Sequence, residues 1–364
     1  MTHPLGSRRG AAPLLSLVAA ATLGLSACGG DTGSGSGGGG EDAPVAVSLI
    51  TKTQTNPFFV AMQEGAQEEA DELGVDLTTA AGREDGDEAT QVQAIENAIS
   101  SGQQGILITP NGPGVNSALE RAREAGLYVM ALDTPPDPPE TVDLTIATDN
   151  REAGRVIGEW AKSQLGGQKA TIALLDLFND KVVSVDYNRD QGFLEGMGID
   201  VADPQANGDE AATGSYDGGE YEIVCNEPTT GAEDGGRTAM ENCLSRNPEI
   251  NVVYTINEPA AAGAYAALQA AGREQEAIIV SVDGGCAGVQ QVAEGTIGAT
   301  AQQYPVEMAR QGVSAVAEYV RNGTEPQVSE GLDFLNTGVA LVTDTPAEGL
   351  ESITTDEASE ICWG

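Results

Sequence analysis

Val252-Val253-Tyr254-Thr255-Ile256-Asn257-Glu258-Pro259 and, one helix-length segment later, Ile278-Ile279-Val280-Ser281-Val282-Asp283-Gly284-Gly285 decide the fold of this chain. Each string is a short apolar run that ends on a polar residue and then breaks into a turn or a helix start. Apolar runs without alternation suit strands covered on both faces, as in parallel sheets. The same unit recurs upstream, with strand candidates at 45–50, 105–109, 127–132, 144–147, 170–175 and 222–225 beside 252–256 and 278–282. Amphipathic stretches separate them: Phe59, Met62, Ala66, Ala70 and Leu73 fall at three- and four-residue steps, as do Val92, Ile95 and Ile99. This β-α-β-α rhythm predicts an α/β protein with doubly wound, Rossmann-like parallel sheets. Two smaller sheets are expected in place of one large one. Asp149-Asn150 would make the first crossing between lobes, with returns near Gln303-Tyr304 and at 333–335. No period of repeat length recurs, so a solenoid is excluded.

Composition narrows the function classes. The 364 residues carry a formal charge of −39, with 17 basic side chains against 56 acidic ones. Such a surface repels nucleic acid, whose binding needs clustered Lys and Arg. The single histidine, His3, lies ahead of the first strand candidate, so the body of the chain has no imidazole to act as general base or zinc ligand. His-dependent catalytic triads are thereby excluded, and no metal site or cofactor is expected.

Arg8 and Arg9, the apolar stretch 11–24 and Leu25-Ser26-Ala27-Cys28 together read as a lipoprotein leader: 1–27 signal peptide, Cys28 lipidated, and a Gly/Ser tether within 28–44. The apolar stretch is too short for a membrane span. The expected location is extracytoplasmic, at the outer face of the cell membrane, with membrane contact by the lipid anchor only. Four further cysteines, Cys225, Cys243, Cys286 and Cys362, show no CxxC spacing, and an even count in an exported chain argues for disulfides. Three pairings are possible. Cys286–Cys362, tying down the C-terminal tail, with Cys225–Cys243 is favoured, although the latter asks a strand-end Cys and one in the third turn of the next helix to approach closely.

Ligands of open α/β sheets sit beyond the carboxyl ends of the strands. The polar residues there are Asp133, Asn257 and Asp283, and Asp133 is followed by the proline-stiffened loop Thr134–Pro139. Each alone could be a turn residue. Three in the same position point to a site. Asn56-Pro57-Phe58-Phe59 follows the first strand; Asn caps and Pro opens a helix well, yet two adjacent rings cannot both face one core. Arg189, at a helix start, adds a guanidinium. Carboxylates that accept, a guanidinium that donates, amides that do both and flat rings suit a neutral polyol.

Taken in order, Asn56-Pro57-Phe58-Phe59, Asp133, Asp149-Asn150, Arg189 before Gly192-Phe193, Asn257, Asp283-Gly284 and Gln303 before Tyr304-Pro305 resemble the sugar-binding proteins of the ribose/fructose branch of type I periplasmic binding proteins, which feed ABC importers. The resemblance spans about 45–364. It implies that Phe58 and Phe59 stack on the sugar, that Asp133, Arg189, Asn257, Asp283 and Gln303 hydrogen-bond its hydroxyls, and that Asn56 is a further contact. It also implies a non-enzymatic monomer whose partners are a small neutral sugar, an ABC permease and its ATPase subunit. The lobes would be 45–148 plus about 304–333, and about 149–303 plus 334–364. Thr134 stands where ribose binders carry Arg, and the stretch 226–236 around Gly231 lacks their second-lobe aromatic. The strings Leu49-Ile50-Thr51-Lys52-Thr53 and Cys362-Trp363-Gly364 look more like fructose-type binders. Fructose is therefore the leading ligand, with ribose, xylose or another polyol as alternatives.

Other classes fit less well. A nucleotide-dependent enzyme needs a Gly-rich loop after the first strand, where Lys52-Thr53-Gln54-Thr55 stands. A glycosidase needs two acids flanking one bond, which Asp133 and Asp283 could imitate. A transcriptional regulator would carry a basic helix-turn-helix where this chain has its tether. A sensor partner would share the binding chemistry.

Overall fold

The structure, a computed structural model, describes residues 44–364; the leader 1–27, Cys28 and the tether at 29–40 lie outside the described residues. In chain order the elements of the first sheet and its helices are β1 Val45–Thr51, α1 Pro57–Leu73, β2 Val75–Ala81, α2 Glu88–Ser100, β3 Gly105–Ile108, α3 Asn116–Glu124, β4 Tyr128–Leu132 and β5 Leu144–Ala147. The chain then passes to α4 Asn150–Leu165, β6 Ala170–Asp176, α5 Ser184–Met197, β7 Thr213–Tyr216, β8 Gly219–Pro228, α6 Glu233–Arg246, β9 Val252–Thr255, α7 Glu258–Ala271, β10 Ile278–Asp283, α8 Cys286–Ala293 and β11 Ala299–Gln302. It returns through α9 Pro305–Asn322 and β12 Leu335–Asn336, and finishes with β13 Ala340–Val342 and α10 Thr355–Ser359.

The strands form two sheets, ordered β12-β5-β4-β3-β1-β2 and β13-β11-β10-β9-β6-β8-β7. The first is parallel throughout. The second is parallel except at its two edges, where β7 and β13 pair antiparallel. The apolar runs serve both faces. Val47, Leu49 and Leu107 enter one core with α1 and α9, while Ile50, Ile106 and Ile108 enter the core on the opposite face. In the second sheet Ile172, Leu174, Val252, Tyr254, Val280 and Val282 face α4 and α5, while Ala173, Leu175, Val253 and Ile279 face α6 and α7. A strand buried on both sides has no polar face to show, which is why its sequence does not alternate.

Three connections join the sheets: β5 to α4, β11 to α9, and β12 to β13. Thr148 Oγ1 donates to the Gly338 carbonyl at 3.2 Å and the Asp149 amide donates to Asn336 Oδ1 at 3.2 Å, so the first and third crossings run bonded side by side. The third falls later than the sequence suggested. Leu335 and Asn336 pair with β5 in the first sheet, so the chain changes lobe after Asn336, not at 333. The cause is local: a two-residue strand carries too little pattern to be seen.

Cys225 and Cys243 are bridged with Cα atoms 5.6 Å apart, as are Cys286 and Cys362 at 5.0 Å. The first closure works because α6 doubles back along β8, bringing its third turn over the strand. No helix among the described residues is long and apolar enough to cross a membrane.

Candidate functional site

The carboxyl ends of both sheets face each other across a cleft. Its inner part is a cavity of about 40 Å³ lined by Asn56, Phe58, Phe59, Asp133, Arg189, Asn257 and Asp283, together with Lys52 and Asp85. Outward it widens into a space of about 680 Å³ that shares Asn56 and Asp85 with it. A cavity of the inner size holds waters at most.

Each of these side chains is held by its element. Asn56 caps α1, its Oδ1 accepting from the Phe58 amide at 2.9 Å, and Pro57 follows as the first helical residue. Asn257 caps α7 in the same way, accepting from the Ala260 amide at 3.1 Å, while its Nδ2 donates to the Gly231 carbonyl at 3.0 Å. Capping consumes the oxygen of each asparagine and leaves amide donors toward the cavity. Their capping role thus leaves both residues on the cavity wall. Phe58 and Phe59 both line the cavity, edge to face with centroids 5.3 Å apart. Against the expectation that adjacent rings cannot share one core, both also belong to the core of the first sheet, since at its edge one ring can touch core and cavity together.

Asp133 and Asp283 stand at the ends of β4 and β10 with φ of 63° and 146°. Asp tolerates the left-handed region better than most residues, and backbone held there clusters at functional sites. Gly284 follows at φ 71°; a Cβ there would lie 2.3 Å from Gln302, so the turn that re-aims Asp283 requires glycine.

Arg189 is buried between them. Its Nε donates to Asn150 Oδ1 at 2.8 Å and its Nη1 to the Ile256 carbonyl at 2.9 Å, which fixes the plane of the fork. Nη2 lies 3.7 Å from Asp133 Oδ1 and Nη1 3.8 Å from Asp283 Oδ1. Helix α5 reaches this depth because it packs backbone to backbone on α4: a Cβ on Gly154 would lie 2.1 Å from the Arg189 carbonyl, and one on Gly192 would lie 2.2 Å from that of Arg151.

The electrostatics follow from burial. Lys52 Nζ stands 3.9 Å from Asp133 Oδ2, which also accepts from Thr134 Oγ1 at 2.7 Å. Asp133 Oδ1 has no hydrogen-bond partner. Burial pushes the Asp283 carboxyl up to about 7, against the pull of Arg189. Glu258, one residue beyond Asn257, accepts from the Gly284 amide and Thr300 at 2.8 Å each; burial and the neighbouring Asp283 push it up to about 8. All three ion-pair contacts are longer than a hydrogen bond, so donors and acceptors in the cavity are aligned but not joined.

Gln303 differs from the expectation. It does not line the cavity; its Nε2 donates to Asp283 Oδ1 at 3.1 Å from behind, and its amide donates to the Asp283 carbonyl at 2.8 Å. It orients a site carboxylate in place of reaching the cavity itself. Lys52 and Asp85 were not foreseen. Lys52 obeys the same strand-end rule as Asp133, whereas Asp85 follows β2, a strand the apolar pattern does not reveal. Lys52 also supplies the cation beside Asp133 that Thr134 cannot.

The family described as periplasmic binding protein domain matches residues 47–325. The chain is similar to the ribose import binding protein of Escherichia coli, 27% identical over 289 residues that span 79% of this chain and 88% of that one. It is 30% identical to the D-apiose import binding protein of Actinobacillus succinogenes over 280 residues, 76% of this chain and 83% of that one. In three dimensions it resembles an ABC transporter solute binding protein of Agrobacterium vitis with bound D-fucose, at a TM-score of 0.71 and 22% identity over 87% of this chain and 100% of that one. A myo-inositol binding protein of Caulobacter matches at a TM-score of 0.68 and 20% identity, over 83% and 94% of the two chains. At these identities the structural likeness speaks for the fold alone. Relatives of this kind make the chain a substrate-binding protein and not an enzyme. With the family match running across most of the described residues, the chain belongs to the periplasmic binding protein domain family, and its two facing α/β sheets are the type I fold of that family.

Proposed function

We propose that this chain captures a neutral monosaccharide between its lobes and hands it unaltered to the permease and ATPase of an ABC importer. Fructose is the leading ligand, and the protein acts as a monomer anchored through lipid on Cys28. The observation that carries the reading is the placement of Asp133 and Asp283, from two different sheets, on either side of Arg189 at 3.7 and 3.8 Å. Carboxylates only accept and a guanidinium only donates, whereas a sugar hydroxyl does both. A polyol inserted among them completes the bonds that the protein leaves long. Phe58 and Phe59 offer an apolar surface for its C–H face. The relatives named for ribose and D-apiose support a sugar as the ligand class. Fructose rests on the sequence strings around Lys52 and Cys362 and on Thr134 in place of arginine.

The lobes, 45–148 with about 304–336 and about 149–303 with 337–364, close by bending at the three crossings. The sugar must favour the closed state, since a ligand shifts an equilibrium only by its differential affinity. Calorimetry of the protein freed of residues 1–27, against fructose, ribose, xylose, glucose and inositol, tests the reading. One sugar is expected to bind much more tightly than the rest; heat from none of them overturns it. Asp283→Ala and Asn257→Ala are each expected to weaken that binding tenfold or more, from about 1.5–3 kcal/mol for a buried charged or amide contact. Near-normal affinity in both would reject the site.

A further inference from the structure

The tail of the chain ends against the cleft. Trp363, buried, meets Phe58 edge to face with centroids 5.3 Å apart at 83°. Its Nε1 donates to the Gln303 carbonyl at 2.9 Å, and its own carbonyl accepts from the Cys286 amide at 2.9 Å. Trp363 therefore joins three segments that carry site residues, through its indole the start of α1 with Phe58 and the crossing with Gln303, and through its carbonyl the turn after Asp283. Its neighbour Cys362 is bonded to Cys286, which fastens the tail to the second sheet while the ring itself packs into the core of the first. The indole lies behind Phe58 and outside the inner cavity.

We propose that Trp363 is a positioning residue for ligand binding: it fixes the Phe58 ring at the cavity wall, and the Cys286–Cys362 bridge holds it there. Phe58 sits on the first turn of α1, where its ring is flanked on one side by Phe59 and on the other by the Trp363 indole. Without a backing surface its ring loses the single orientation in which it can lie along a sugar. An aromatic edge-to-face contact supplies that surface together with directionality. Binding then costs less side-chain ordering, which is the usual gain from a pre-organised wall.

The affinity arm rests on the sugar reading above and uses D-fructose, or whichever of the five sugars the wild-type protein binds. Trp363→Leu is expected to weaken binding about tenfold, while Trp363→Phe, which keeps an aromatic ring, stays within about threefold of wild type. Equal weakening in both variants, or none in Trp363→Leu, overturns the proposal. A second arm needs no sugar. Amide hydrogen exchange in the ligand-free protein is compared between wild type and the Cys286→Ser/Cys362→Ser double variant, read at 58–62 and, as a control, across α6. Faster exchange at 58–62 with α6 unchanged supports the proposal, and unchanged exchange at 58–62 overturns it. If none of the five sugars binds, the functional reading fails while this arm still decides the role of the tail.

Discussion

Arg189→Met is expected to weaken sugar binding by more than a hundredfold and to lower the unfolding temperature of the ligand-free protein by several degrees. Among the described residues the guanidinium is the only cation placed between the Asp133 and Asp283 carboxyls, and all three side chains are buried. Methionine has a similar reach and no charge. It leaves the buried Asp133 and Asp283 carboxyls without the cation between them, since among the described residues Lys52 pairs with Asp133 and not with Asp283. Removing one partner of a buried ion pair typically costs about 3–5 kcal/mol, mostly as the penalty on the charge left behind. The same loss removes the fork aimed at the ligand, and truncating a buried charged contact at a binding site costs about 2–5 kcal/mol. Either range covers a hundredfold change. Asn150 Oδ1 and the Ile256 carbonyl lose their donors as well, adding to the loss of stability. Arg189→Lys restores the charge but cannot bond Asn150, Ile256 and a hydroxyl together, so it is expected to fall between the two. Calorimetry and thermal unfolding of both variants check this. Binding within threefold of wild type by Arg189→Met would remove the arginine from the site.

The fold was legible wherever strands are covered on both sides. Val252–Thr255 and Ile278–Val282 show, Ser281 apart, only apolar, aromatic and β-branched residues because two layers of helices leave them no wet face. β2 was not legible. As an edge strand it runs Val75-Asp76-Leu77-Thr78-Thr79 with half its residues toward water, and nothing marks it off from a loop. β11 is central but consists of Ala299-Thr300-Ala301-Gln302, small residues that α4 and α8 crowd closely. In the site, the strand-end rule located Asp133, Asn257 and Asp283, since topology alone brings those ends together. Gln303, expected in the cavity from the family resemblance alone, stands behind Asp283, and a motif match cannot distinguish a side chain that reaches the cavity from one that orients its neighbour. Trp363 was beyond the reach of the strand-end rule altogether. Its contact with Phe58 joins opposite ends of the chain and depends on where a disulfide pins the tail, and no local pattern encodes that.

Between pH 5.5 and pH 8 the ligand-free protein is expected to lose stability steadily as pH rises. Ordinary carboxylates are fully ionised across this window and lysines fully protonated. Histidine, the usual titrant there, is absent after His3. What remains is the set of acids whose proton burial helps to retain: Asp186 pushed up to about 6, Asp283 to about 7 and Glu258 to about 8, with Asp176 and Asp190 also raised well above the usual carboxylate range by burial and by the charge of neighbouring carboxylates. Each has a folded-state value above its unfolded one. The folded state therefore binds more protons than the unfolded chain, and its stability is greatest below the unfolded value and is lost as pH climbs through the folded one. One retained proton is worth about 1.4 kcal/mol per pH unit. Two such acids across this window bring the loss to a few kcal/mol, which corresponds to a fall of roughly 5 °C or more in unfolding temperature. Scanning calorimetry at half-unit steps reads the slope directly. Glu258→Gln lowers the starting stability, because an amide nitrogen then faces the Gly285 amide, but it must also flatten the slope above pH 7. A melting temperature that is level or rising from pH 5.5 to pH 8 would mean that these carboxyls are already ionised in the folded protein. The cleft would then hold its carboxylates charged before any sugar arrives, with Arg189 and Lys52 bearing the whole cost of burying them.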